Sequence, residues 1–132
     1  MAKNEYDYLW DSHERDEYTA ADIDPDICTK EEEANITRKV LKQFMAMFLE
    51  AHLAGRYHRL GLQIHDIELL QARAAELHHL RPSETCDMPL DELMILLAGE
   101  FEHVPIPPDA REVILRRTSD LQEWFEIDAL LS

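Results

Sequence analysis

The chain has 132 residues, with 28 Asp and Glu against 13 Lys and Arg, a formal net charge of −15, and 45% hydrophobic residues. That length fits one domain with a tail, and that apolar content is enough for a buried core. A chain this acidic is repelled by nucleic-acid phosphates and anionic membranes, and no apolar run reaches the roughly 18 residues of a membrane span.

Three Gly residues leave no material for a phosphate-cradling loop, and the acidic N-terminus is no secretory signal. The expected setting is cytoplasmic, with no cofactor, no direct nucleic acid and no membrane.

Residues 1–29 hold nine acids against Lys3 and Arg15, a net of −7. Nearly half the excess charge therefore sits in under a quarter of the chain. Tyr6, Tyr8, Leu9, Trp10 and Tyr18 lie in the same stretch with neither a helical nor an alternating period. It reads as an acidic–aromatic arm, extended or partly disordered, ahead of a helical domain at residues 30–132.

Asp22, Asp24, Asp26 and Glu33 match positions 1, 3, 5 and 12 of a calcium-loop template. Ile27, however, stands where the sharp turn wants Gly, and Pro25 stiffens the loop. The better reading is an acidic linker. Cys28 and Cys86 form no C-x-x-C pair and read as reduced thiols.

From Thr29 onward the pattern is helical. Thr29 and Glu32 fit a capping box, with Glu31, Glu32 and Glu33 favourable at the positive helix end. The helix that follows carries Val40, Leu41, Phe44, Met45, Phe48, Leu49 and Leu53. Between residues 40 and 54 only Lys42, Gln43, Glu50 and His52 are polar. Such a helix is either central to the fold or half of a homo-oligomer interface. Gly55 or Gly61 is its expected stop.

A second helix is predicted over 62–80 with a stripe of Ile67, Leu70, Ala74 and Leu77, ended by Arg81-Pro82. A loop at 82–88 leads to a third helix opened by Pro89, with Leu90, Leu93, Met94, Leu97 and Phe101 facing inward. The prolines between Val104 and Pro108 break the chain. A short helix follows at about 109–117. Ser119 and Gln122 then suit a second capping box, opening a last helix with Leu121, Trp124, Phe125, Ile127 and Leu131. The fold class is all-α, a small bundle of about four to five helices with an extended acidic N-terminal arm.

Two Glu-x-x-His pairs, Glu76/His79 and Glu100/His103, have the spacing used in carboxylate-bridged metal bundles, and Glu50 could join them. With 16 Glu and 7 His in the chain, about one such pair arises by chance. His78 and His79 can simply favour the negative end of a helix, and His52, His58 and His65 read as solvated or half-buried. Between Ala34 and Leu60 the bases Arg38, Lys39, Lys42, Arg56 and Arg59 face only Glu50. That local excess reads as a surface covered by the acidic arm or by an acidic neighbouring helix. Nucleophilic catalysis has no visible apparatus.

These features point to a non-enzymatic interaction protein that offers carboxylates and aromatic anchors to a basic protein surface. Inhibitors of nucleic-acid-binding machines, immunity proteins and nucleic-acid mimics work by this logic. The expected contact residues are Tyr6, Asp7, Tyr8, Trp10, Asp11, Asp16, Glu17 and Tyr18, since Trp and Tyr dominate interface hot spots. The alternatives are a metal-binding bundle, as enzyme or carrier, built on Glu50, Glu76, His79, Glu100 and His103, or an oligomeric structural subunit joined through the 40–54 helix.

Overall fold

The computed structural model describes residues 4–120. Among the described residues it contains seven helices and no strand: α1 (Glu5–Ala21), α2 (Lys30–Arg59), α3 (Ile67–Leu77), α4 (Pro82–Thr85), α5 (Leu90–Leu96), α6 (Ala98–Glu102) and α7 (Pro108–Thr118). The all-α class holds, with more and shorter helices than the four to five expected. No helix among the described residues is long and apolar enough to cross a membrane. The last expected helix, from Leu121 on, and half of its capping box fall on residues 121–132, outside the described residues.

The chain divides into two compact units. One gathers the residues up to Phe44 and those from Ile106 on; the other is Met45–Pro105. α2 contributes its first half to the former and its second half to the latter. It buries apolar residues in both halves, Ile36, Val40, Leu41 and Phe44 in the first unit and Met45, Phe48, Leu49 and Leu53 in the second. The expected capping box is in place: Thr29 Oγ1 accepts the Glu32 amide at 3.1 Å, and Glu32 Oε1 accepts the Thr29 amide at 2.9 Å. Of the two candidate stops, Gly61 ends the helix. It adopts φ 81°, and Leu62 closes the turn by donating to the Tyr57 carbonyl at 3.1 Å.

In the first unit the segment expected to be an extended arm is instead the 17-residue helix α1. Asn4 caps it, accepting the Tyr6 and Asp7 amides at 2.8 and 3.2 Å, while Asp7 Oδ2 accepts the Asn4 amide at 3.1 Å. Asp22 ends it in the left-handed region, with φ 56°. Asp7, Trp10 and Tyr18 share the buried face. The Trp10 ring meets Phe44 edge-on at 5.3 Å, and Tyr6 meets the same ring at 6.2 Å. α1 also packs against α7, where Ala110, Val113 and Ile114 are fully buried.

In the second unit α3 begins at Ile67, five residues later than expected, because the turn at Gly61 is followed by non-helical chain and then Asp66 at φ 54°. Leu69, Leu70, Ala74 and Ala75 form its buried face. Ile67 and Leu77, expected in the stripe, are partly exposed. The loop expected at 82–88 holds one helical turn, α4, opened by Pro82. The third expected helix is broken at Leu97, whose φ of −110° and ψ of 22° separate α5 from α6. Leu93, Leu97 and Phe101 are nevertheless buried, as the apolar spacing predicts.

Candidate functional site

α1 and the loop that follows it are strongly acidic. Nine acids and a single base, Arg15, lie between Glu5 and Asp26. These acids fall into two groups. Asp7 is fully buried and receives Arg116 Nη1 and Nη2 at 3.1 and 3.3 Å and Arg117 Nη2 at 3.3 Å. Asp11 is paired with Arg117 at 2.8 Å. Glu14 Oε2 accepts the Trp10 indole N–H at 3.1 Å, and Glu17 accepts from Gln43. Each of these four is thus engaged within the unit.

The other five, Glu5, Asp16, Asp22, Asp24 and Asp26, are exposed. Asp22 and Asp24 line an open groove of about 700 Å³ together with Asp11, Glu14 and Arg15. Tyr18 forms part of its floor.

Burial pushes the Asp7 carboxyl up, but the Asn4 amide and the guanidinium groups of Arg116 and Arg117 outweigh it and hold the group below its ordinary value. It is an ionised, fully partnered buried acid. The expected contact residues therefore divide. Asp7, Trp10 and Tyr18 are buried, Asp7 against Arg116 and Arg117 of α7 and Trp10 against Phe44 of α2. Tyr6 is half-buried against Phe44, and Asp11 and Glu17 are half-buried in the contacts just named. Tyr8 is 64% exposed, and Asp16 is exposed as well. Sequence reasoning misses Arg116 and Arg117. Their only signal is a pair of bases in the last turn of a helix in an acidic chain.

Around the calcium-loop match, Asp24 Oδ1 accepts the Asp26 amide at 2.9 Å, and Glu33 lies in the first turn of α2 beside Lys30 at 3.8 Å. Both Cys28 and Cys86 are free thiols.

The metal candidates are drawn partly together, but around a cation of the protein itself. Arg73 Nε donates to Glu100 Oε1 at 2.9 Å, and Arg73 Nη1 donates to Glu76 Oε1 at 3.3 Å. Glu76 also accepts from Arg56 and, at 2.8 Å, from the Tyr57 hydroxyl. Those bonds, led by Arg56, hold the Glu76 carboxyl below its ordinary value. Burial first, and then Glu76, push the Tyr57 hydroxyl up to about 12. His79 sits in the left-handed region just past α3, and His103 just past α6; both are exposed. Among the described residues no three His, Cys, Asp or Glu side chains converge where a metal ion could be held.

Glu50 is half-buried, and burial together with the charge of Asp66 pushes its carboxyl up to about 7. Of the local bases on α2, Arg56 is bound to Glu76, Arg59 Nε donates to the Gly55 carbonyl at 3.0 Å, and Arg38 donates to Asn35 at 2.9 Å.

Comparison with protein-family models, with curated proteins and with solved structures finds no match to this chain.

Proposed function

We propose that the protein is a non-enzymatic acidic interaction protein whose α1 face and following loop bind a basic surface of another protein. One observation carries this reading: within Glu5–Asp26 the acids that face inward are matched by Arg116, Arg117, Trp10 and Gln43, while Glu5, Asp16, Asp22, Asp24 and Asp26 stay exposed. Glu5 and Asp16 stand on a packed helix and keep their spacing, so less ordering entropy opposes their binding than for a loose tail. Their field speeds encounter with a positive partner. Tyr8 at 64% exposure and Ile27 at 81% add apolar contacts beside them.

Exposed carboxylates on α1 and the loop after it suit the groove of a nucleic-acid-binding machine, which is the role of an inhibitor, immunity protein or nucleic-acid mimic. The partner class is thus a basic, nucleic-acid-binding protein in a cytoplasmic setting. Affinity capture of the tagged protein from its native extract, at low and at high salt, tests this. The expected result is a specific basic partner retained at low salt and released at high salt. No partner at any salt counts against the proposal.

A further inference from the structure

His58 and His65, unrelated in the sequence pattern, stand ring to ring at the end of α2. Their ring centroids are 5.3 Å apart and their planes cross at 66°. His58 lies in the last turn of α2 and His65 in the loop beyond it, and both are exposed. His58 Nε2 is 3.0 Å from the carbonyl oxygen of Ile64. A carbonyl only accepts, so Nε2 carries the proton and donates, and the lone pair of the neutral ring lies on Nδ1. Metal-binding histidines are oriented in this way, one nitrogen tied to a backbone carbonyl and the other left for the ion.

The spacing of the rings agrees with joint ligation. A zinc ion about 2.0–2.1 Å from one nitrogen of each ring, at a tetrahedral angle, sets the two centroids about 5 Å apart. Edge-to-face attraction alone tolerates anything from about 4.5 to 7 Å. We infer that His58 and His65 form a two-histidine site for a borderline transition-metal ion such as zinc(II) or copper(II), with water completing its coordination. Imidazole favours these ions over magnesium and calcium, which prefer oxygen donors. Asp66 and Glu68, next along the chain, add negative charge near the cation. Bound metal ties the loop after Gly61 to the end of α2, and it competes with protons, so binding weakens as the pH falls.

The test is competition between the untagged full-length protein and a chromogenic chelator for zinc(II), repeated with copper(II). One equivalent is expected to bind. His58→Phe and His65→Phe each keep an aromatic ring at the contact but remove the ligand, and each should weaken binding by about tenfold or more. A His78→Gln, His79→Gln double variant should bind as the wild type does. Should a Phe variant fail to fold, trace copper(II) added to the wild type gives a second reading. It should broaden the imidazole proton resonances of His58 and His65 before those of the other five histidines. Failure to bind one equivalent, binding that survives both Phe variants, or broadening that begins at other histidines would overturn the inference.

Discussion

Arg116 grips the carboxylate of Asp7 with both terminal nitrogens, at 3.1 and 3.3 Å, across 109 residues of sequence. Asp7 is fully buried, so this fork, with Arg117 beside it, is what lets a charged group lie beneath α1. A carboxylate in such a place is strongly destabilising unless it is paired and hydrogen-bonded. Pairing α1 to α7 through Asp7 fastens the acidic helix to its unit and leaves its outer carboxylates facing solvent.

Asp7→Asn keeps the shape of the side chain and removes its charge, taking from Arg116 the anion it grips and leaving Arg117 with Asp11. It should lower stability by about 3 kcal/mol at pH 7, measured by urea denaturation. The sign of the pH dependence follows from the lowered value of the Asp7 carboxyl in the fold. The folded state then binds fewer protons than the unfolded chain, whose Asp titrates near about 3.9. The contribution is complete above that value and is lost as the pH falls through the lower, folded one. The gap between wild type and Asp7→Asn should therefore close progressively below about pH 4.

Glu50 behaves in the opposite sense. Its carboxyl is pushed up to about 7 in the fold, by burial and then by Asp66. The folded state holds the proton more tightly than the unfolded chain does, so stability falls as the pH rises from about 4.3 and levels off above about 7. Glu50→Gln should stabilise the protein at pH 8 by about 1–2 kcal/mol, the half-exposure of the group reducing the effect. The gain should vanish at pH 4. Thermal melts at the two pH values check this.

Trp10 distinguishes a packed α1 from a loose arm. Its side chain is fully buried against Phe44, so Trp10→Ala should cost about 3–5 kcal/mol. Tyr8, two residues away and largely exposed, should change stability by no more than about 0.5 kcal/mol when replaced by Ala. Equal, small effects of the two substitutions would contradict the packing of α1.

Much of the fold is legible because its signals are local. Thr29 and Glu32 announce the start of α2 within four residues, Gly61 supplies the left-handed stop, and Leu93, Leu97 and Phe101 repeat at helical spacing. α1 is less legible because its inward face carries Asp7 and Glu14 where a periodic pattern looks for apolar residues. Those polar groups are satisfied by Arg116 and by the indole of Trp10, and the first of these partners lies far along the chain. The same reason hides the fate of Glu76 and Glu100. Their spacing to His79 and His103 is visible in the sequence, but Arg73, which binds both carboxylates, is recognisable only once α3 and α6 are placed. The exposed acids of the proposed interface are legible in the charge distribution, whereas their separation from the buried ones is not.

The most direct measurement compares the captured partner's affinity for the wild type with that for the variant Asp16→Asn, Asp22→Asn, Asp24→Asn, Asp26→Asn across a range of salt concentrations. These four side chains are exposed, so the variant should keep its fold and its melting temperature. The account predicts that the wild type binds tightly at low salt and loses affinity as salt rises, while the variant binds at least about tenfold more weakly at low salt and shows a flatter salt dependence. Equal affinity of the two proteins at every salt concentration would contradict it.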